Sequence, residues 1–534
     1  MNTGNKRIIV ALLSVYIACS THAIVAKKEK AAKGLSVAAV ATSGILQPGT
    51  LLVSGTQNMV NPSSFALSSV SPTAAATAAA LEYGDIGDIE ITNTSVDNST
   101  ATTMYTISAS GKYFLGEDIT ISPANNNVTY IKITVDNVNL NLNGFSINQA
   151  GIATGTVAIQ VAPGLKNIII RNGSLCGIRG TGIKAVSTSG NEIRHLFILS
   201  IDAINCTNLG VSLAYVQDSY IAGTQITGCN GSDPGAPGAI GLSITNCNGI
   251  QIRNSNASNN KHSSSGIAAG FYITDSETLL IENCALSRAY GSFAYGLFLK
   301  NSACITCKDT SSTRNQSTGT AADSSVYGFY LENCQYVTCV QCAASGQRAT
   351  ATSADTHAHG FYSTGGTNNV FDSCLSSGNI GGGYSTGSTG SGFTFTATEQ
   401  FSAVAHSTSA ANFGGPGGTT GTGYGFKLGT GTTGPKQLTI EGNYMAGNRG
   451  AQYYGYKDCT AASSTLLQKN ISFGHGKVLP LTGEDITDTG TLNYWFNFPA
   501  GTFADKILQE CSNADLTTIS DTQPHVNLSV YIAA

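Results

Sequence analysis

A glycine followed by apolar residues one and three positions later returns roughly every thirty residues through the middle of this 534-residue chain. The copies begin at Gly182, Gly210, Gly241, Gly270, Gly296, Gly328, Gly360, Gly392 and Gly425. Their apolar spacing is two, which is the period of a β-strand and excludes a helical repeat. A repeat of this kind predicts a solenoid, in which each unit buries its apolar face only against its neighbours.

Further columns recur at fixed distances from the glycine. Apolar residues nine and eleven positions after it predict a second strand, and a weaker third strand leads into a loop of variable length. Thirteen positions after it lies a polar column formed by Asn254, Asn283, Asp309, Gln341 and Ser373. Stacked polar side chains of this kind are typical of a tight turn repeated along an axis. The period therefore predicts an all-β, right-handed, single-stranded parallel β-helix of about 12 coils, with an N-terminal spacer and a C-terminal cap.

The segment that enters the repeats, residues 135–147, reads VDNVNLNLNGFSI. It resembles the first coil of bacterial members of the pectin-lyase-like β-helix superfamily, and the resemblance covers roughly residues 105–456. It implies the fold. Because that superfamily includes lyases, hydrolases, epimerases, adhesins and phage tail proteins, it implies no single activity.

The two ends of the chain differ from the repeats. Lys6 and Arg7 precede an apolar run over residues 8–18 and small residues up to Ala23, which predicts a secretory signal peptide over 1–23. Lipoprotein processing at Cys19 stays open as an alternative. We predict a low-complexity spacer and N-terminal cap over 24–104, the β-helix over 105–456 and a capping region over 457–534. The mature protein is then exported, as a secreted, periplasmic or cell-surface protein without a transmembrane segment.

The ionisable residues match no known catalytic motif. With 27 basic and 31 acidic residues, the chain does not favour nucleic acid as a partner. Gly474-His475-Gly476 matches a fragment of a polygalacturonase-type motif, but the chain has no Asp-Asp pair. Since glycoside hydrolysis needs two positioned carboxyl groups, we interpret His475 as part of a capping loop.

Two groups of charged residues on the repeats each allow a structural and a functional interpretation. Lys300 and Glu332 both lie four positions after their glycine, which predicts an ion pair between adjacent coils; the alternative is a lysine base of a lyase. Asp275, Glu277 and Glu282 lie near one turn, where solvated charges are expected and weak calcium binding is the alternative. Apart from calcium here and zinc at the cysteines, we expect no cofactor or metal.

The cysteines also recur by column. Cys307 and Cys339 lie eleven positions after their glycine, whereas Cys284, Cys342 and Cys374 lie fourteen after theirs. This recurrence predicts small buried residues, as free thiols or as a disulfide in an exported protein. The spacing from Cys304 to Cys307 and from Cys339 to Cys342 is also that of zinc ligands, so zinc stays open.

Aromatic residues mark one stretch of the surface. Four successive coils carry a ring two positions after the glycine, namely Tyr272, Phe298, Tyr330 and Tyr362, and Tyr295, Tyr327, His359 and Tyr424 directly precede glycines. At the usual strand spacing of about 4.8 Å, an exposed row of this kind predicts a binding site for a glycan or another partner. Alternatively, long loops at residues 309–326 and 343–359 cover the rings, or the rings only fill space beside the glycines.

These observations favour an exported β-helix that acts as a surface binding, adhesion or structural module, with a glycan as the expected partner. The alternative is a polysaccharide-active enzyme, a pectate-lyase-like lyase or a glycoside hydrolase, whose catalytic residues follow none of the known motifs. The oligomeric state stays open.

Overall fold

The computed structural model describes residues 88–95 and 102–496, except 124, 232–237, 264–265, 318–323, 351–355, 383–387, 397–398, 415–420, 430–434, 436, 447, 449–451, 459–465, 469, 474–485 and 488–493. The described residues form strands and one short 3₁₀ turn at Asn93–Ser95. The signal peptide, Cys19 and His475 lie outside them.

The strands form three sheets, and the first sheet has 14 strands. Their bounds are Thr103–Ile107, Thr129–Ile133, Thr156–Val161, Gly180–Val186, Leu209–Ala214, Ala239–Thr245, Ile267–Thr274, Phe293–Lys300, Ser325–Glu332, His357–Thr364, Thr389–Thr396, Thr422–Leu428, Gln452–Asp458 and Ile486–Thr487. Each strand pairs with the strand of the next coil, so the sheet runs along the axis of a solenoid.

The second sheet has 26 strands. Their bounds are Ile89–Ile91, Gly111–Leu115, Ile119–Ile121, Val138–Asn141, Ser146–Gln149, Lys166–Cys176, Ile193–Ile204, Val216–Ala222, Gln225–Thr227, Asn248–Arg253, Asn256–Ser258, Glu277–Glu282, Ala285–Ser287, Ala303–Lys308, Ser311–Thr313, Gln335–Val340, Ala343–Ser345, Val370–Asp372, Leu375–Ser377, Ala403–Ala405, Thr408–Ala410, Thr439–Glu441, Tyr444–Ala446, Leu466–Gln468, Ile471–Phe473 and Tyr494–Phe496. The third sheet has five short strands at Asn230–Gly231, Lys261–His262, Tyr290–Gly291, Gln316–Ser317 and Arg348–Ala349.

The expected fold class is confirmed, because the protein is an all-β parallel solenoid. Equivalent residues of successive coils pair directly, as Leu297 does with Phe329 and Phe329 with Phe361. These inward side chains are fully buried, and the Phe329 and Phe361 rings stack at 4.7 Å. The core is therefore a set of parallel columns, each filled by side chains of similar size.

The predicted polar column lies at a turn. Its members adopt left-handed backbone conformations, with φ of 48° at Asn254 and 52° at Asn283. Asn283 Nδ2 donates a hydrogen bond of 2.6 Å to Asn254 Oδ1. Asparagine tolerates this conformation better than most residues, so the column both makes the turn and links neighbouring coils.

The cysteine columns lie inside the solenoid. Cys307 pairs in register with Cys339, and Cys342 Sγ donates to the Cys307 carbonyl oxygen at 3.4 Å. The described cysteines are free thiols, and Cys304 is the exposed member of its CxxC pair. In the described part of the chain, no three His, Cys, Asp or Glu side chains converge as metal ligands. The columns therefore act as small buried side chains.

The weaker third strand predicted from the sequence is present, and it takes up the start of the two long segments at 309–326 and 343–359. Residues 311–313 and 316–317 pair with the preceding coil, as do residues 343–345 and 348–349 with theirs. Their serines, threonines and alanines carry little apolar periodicity, although the backbone pairs regularly. Parallel pairing also includes Ile89–Ile91 and Leu466–Gln468, on either side of residues 105–456. The proposed domain boundaries stay predictions.

The recurring glycines are required because the interior has no room for a side chain. A Cβ on Gly296 would overlap Ser312 Oγ and lie 2.7 Å from the carbonyl oxygen of Gly328. On Gly328 it would lie 2.7 Å from Ala344 Cβ. The glycine column therefore faces inward against the short strand that precedes the loop.

We predict that Gly296→Ala lowers the free energy of unfolding by about 1–3 kcal/mol, because the added methyl group overpacks the interior. Urea unfolding followed by circular dichroism measures the change. Ser243→Ala, on the outward face of the same sheet, is the control and should stay within about 0.5 kcal/mol of the unmodified protein. Equal stability of the Gly296→Ala variant would show that the backbone shifts freely here.

One carboxyl group is enclosed in this interior. Glu399 is fully buried, and its oxygens accept hydrogen bonds from the Gly366 amide at 2.9 Å and from Asn369 Nδ2 at 3.0 Å. Ser402 Oγ donates a third hydrogen bond. Burial raises the pKa of Glu399 above the ordinary value of 4.5, although these donors oppose the shift. The folded protein therefore holds this proton more tightly than the unfolded chain does.

This raised pKa predicts a stability that depends on pH. The stabilisation by the Glu399 proton is complete below pH 4.5 and is lost as the pH rises through the folded-state pKa. In Glu399→Gln the group no longer titrates, so the variant should gain stability relative to the unmodified protein as the pH rises from 4 to 8. Urea unfolding across that range tests this, and parallel pH profiles for the two proteins would contradict it.

Candidate functional site

The four predicted aromatic residues lie together on the outward face of the first sheet. Tyr272 pairs in register with Phe298, Phe298 with Tyr330, and Tyr330 with Tyr362. Their inward neighbours are buried, as Phe271 is beside Tyr272. We call these four residues the outer row.

The rings of the outer row stack face to face. The ring centroids are 4.4 Å apart from Tyr272 to Phe298, 5.2 Å from Phe298 to Tyr330 and 5.1 Å from Tyr330 to Tyr362, with planes within 4° of parallel. Each ring therefore covers the face of the next one. A ligand along the row meets ring edges and tyrosine hydroxyl groups rather than open ring faces.

A second aromatic row runs beside the first. It consists of Tyr295, Tyr327 and His359, which we call the inner row, and its ring centroids are 5.3 Å apart at each step. The two rows meet edge to face, at 4.9 Å between Tyr295 and Phe298 and at 5.0 Å between His359 and Tyr362. The sequence places these residues before their glycines, but it gave no reason to expect contact with the outer row.

Packing accounts for the inner row and for part of the outer row. Tyr295 is 7% exposed and His359 3%, whereas Tyr272, Tyr330 and Tyr362 are half-buried. The edges of these three tyrosines therefore remain at the surface. The rings pack with Ile240 and Ala269 of the same sheet into a hydrophobic cluster separate from the main core. The middle parts of the two long loops, which were the alternative cover for the rings, lie outside the described residues.

The two rows are uncharged at neutral pH. Burial raises the pKa of Tyr295 and Tyr330 and lowers that of His359 well below its usual value, so the imidazole is neutral. His359 Nδ1 lies 3.0 Å from Thr394 Oγ1. The half-buried tyrosines of the outer row can thus exchange hydrogen bonds with a ligand, while neither row carries a charge of its own.

The predicted ion pair flanks the outer row. Lys300 Nζ lies 2.7 Å from Glu332 Oε1, and Tyr330 donates a hydrogen bond of 3.4 Å to the other Glu332 oxygen. The hydrogen bond with Glu332 raises the pKa of Lys300. A lysine that holds its proton this firmly is a poor general base, which argues against the lyase interpretation of Lys300.

The three carboxylates considered for calcium point to other partners. Asp275 accepts a hydrogen bond from Asn301 Nδ2 at 3.1 Å, and Glu282 forms ion pairs with Arg253 at 3.3 Å and Lys308 at 3.6 Å. Glu277 is exposed at the start of its strand. The structure therefore does not bring these three residues together around one point.

The fold expected from the pectin-lyase-like resemblance is present. The chain is a parallel β-solenoid. No family model matches it, and no curated protein matches it by sequence. No helix in the described ranges is long and apolar enough to cross a membrane.

Solved structures of similar fold share little sequence with this chain. The periplasmic alginate epimerase AlgG is 8% identical, with 77% of this chain and 84% of that chain covered and a TM-score of 0.37. The mannuronan C-5 epimerase AlgE4 A-module from Azotobacter vinelandii is 12% identical, with coverages of 72% and 91% and a TM-score of 0.30. The Dettilon tailspike protein is 11% identical, with coverages of 67% and 60% and a TM-score of 0.33.

We predict that the Lys300–Glu332 pair contributes less than about 1 kcal/mol to stability, because both side chains are partly solvated. A double-mutant cycle with Lys300→Met and Glu332→Gln, followed by urea unfolding, measures this coupling. A coupling energy well above that limit would mean that the pair is more strongly desolvated than its exposure indicates.

Proposed function

We propose that the protein is an exported, non-catalytic module that binds glycan chains on the outward face of the first sheet. The observation that carries this proposal is the pair of packed aromatic rows, whose half-buried tyrosines Tyr272, Tyr330 and Tyr362 reach the surface. Tyrosine combines apolar area with a polar group, as ligands rich in both C–H and hydroxyl groups require.

The rigidity of the rows supports binding. Each ring is held on at least one face by a ring of an adjacent coil, as Phe298 holds Tyr272 at 4.4 Å and Tyr330 at 5.2 Å. Side chains that are already ordered lose little conformational entropy when a ligand binds. Three of the four coils of the outer row carry a tyrosine hydroxyl group along the axis, which suits a polymeric ligand.

The charge distribution supports binding over hydrolysis. From residue 103 to residue 428, Glu332 is the one carboxylate within the strands of the first sheet, and it is paired with Lys300. Hydrolysis of a glycosidic bond needs two carboxyl groups at a defined separation. A hydrolase would therefore need its second carboxyl group from residues outside these strands.

Electrophoresis in native gels that each contain one polysaccharide tests the proposal. We expect one or more polysaccharides to retard the protein without a cleared zone around the band. A cleared zone would establish cleavage and support the lyase or hydrolase alternative. Free migration in every gel would contradict glycan binding.

We predict that Tyr330→Phe and Tyr362→Phe each weaken retardation by up to about tenfold in dissociation constant, the value of one hydrogen bond. Both substitutions keep the stacked ring, so urea unfolding should change little. Tyr220→Phe, half-buried on the second sheet, is the matched control and should bind normally. Unchanged binding by both outer-row variants would show that these hydroxyl groups do not contact the ligand.

A further inference from the structure

The outer row ends at Tyr272, and its far ring face is not covered by another ring. Phe298 covers one face of Tyr272 at 4.4 Å, whereas the register neighbour on the other side is Ser243. A serine side chain is too short to cover a phenol ring. Tyr272 thus has what the middle of the row lacks, a ring face that no other ring covers, and we call it the open face of Tyr272.

A line of polar residues continues from Tyr272 toward the N-terminal coils. Successive register pairs join Ser243, Ser212, Lys184, Gln160 and Lys132. We call these five residues the polar track. All of them are half-buried.

The polar track faces outward. Its members alternate with fully buried residues along each strand, as Lys184 does with Ile183 and Ala185. The same alternation places Ser212 between Val211 and Leu213. The track is therefore a continuous strip of the same surface that carries the aromatic rows.

The charge of the polar track is positive. The strands of the first sheet from residue 103 to residue 274 contain no Asp or Glu. Among the described residues, neither Lys132 nor Lys184 forms an ion pair. The positive strip is complementary to a negatively charged ligand.

We propose that the polar track and the open face of Tyr272 bind an anionic glycan, which rests on the glycan binding proposed above. One sugar ring packs its C–H face on Tyr272, because those hydrogens meet the negative face of the aromatic ring. Ser243 and Ser212 exchange hydrogen bonds with the hydroxyl groups of the sugar. Carboxylate or sulfate groups further along the glycan form ion pairs with Lys184 and Lys132.

The spacing fits an extended chain. With strands about 4.8 Å apart, Lys184 lies about 14 Å from Tyr272 and Lys132 lies about 10 Å beyond Lys184. The two lysines thus lie two coils apart along a straight line. A polysaccharide with acidic groups at regular intervals can meet both of them while one ring stays on Tyr272.

Two soluble derivatives of one glucan test this inference. Carboxymethylcellulose and hydroxyethylcellulose share a backbone and differ in charge, so native gels that contain one or the other isolate the contribution of charge. We expect carboxymethylcellulose to retard the protein more strongly, and added salt to weaken the retardation. Lys184→Ala and Lys132→Ala should each raise the dissociation constant by about two- to fivefold.

A substitution that covers Tyr272 tests the ring contact. Ser243→Phe extends the stacked row by one ring, so we expect normal urea unfolding but much weaker retardation by carboxymethylcellulose. Lys166→Ala, which removes an exposed lysine from the second sheet, is the control for charge and should bind normally.

The outcomes separate this inference from the proposed function. Equal retardation by both polymers, or retardation that neither Lys184→Ala nor Ser243→Phe weakens, would overturn the anionic track and leave glycan binding in place. Free migration in these gels and in those of every other polysaccharide would overturn both. Charge-dependent retardation that both substitutions weaken would support the track.

Discussion

Hydrogen bonding of each strand to the equivalent strand one coil later is the constraint on which the rest of the structure depends. Because the described pairs are parallel and aligned, a side chain meets the side chain at the same position of the next coil. Columns of one chemical kind follow: phenylalanine on phenylalanine inside, cysteine beside cysteine, and ring on ring outside. Function on such a scaffold is set column by column.

The glycine of each coil explains why two aromatic rows lie side by side. Positions three residues apart face opposite sides of a regular strand, yet the Tyr295 and Phe298 rings touch at 4.9 Å. Between them, Gly296 and Leu297 both face the interior, since a Cβ on Gly296 would meet Ser312 and Leu297 is fully buried. Two consecutive inward positions break the alternation and bring both rings to the outer face.

The sequence predicts what depends on period and fails where contact depends on local geometry. The period gives the fold, the buried pairs, the turn column at Asn254 and the pairing of Lys300 with Glu332, because each follows from register alone. The period does not predict the contact between the two aromatic rows, because that contact requires the break in strand alternation at the glycine. Short strands such as Gln316–Ser317 were missed, because two polar residues pair without an apolar signature.

The two ends of the outer row differ in the residue that lies against the last ring. This difference decides at which end a ligand can contact a ring face. At one end the register neighbour of Tyr362 is Thr394, whose hydroxyl group is hydrogen-bonded to His359. Thr394 lies in a strand whose residues are all buried. At the other end the register neighbour of Tyr272 is Ser243, which is half-buried and too short to cover the ring. A ligand that needs an aromatic face therefore approaches Tyr272 from the N-terminal coils. Along that path the ligand meets two cations, Lys184 and then Lys132, which the strand register aligns with Tyr272.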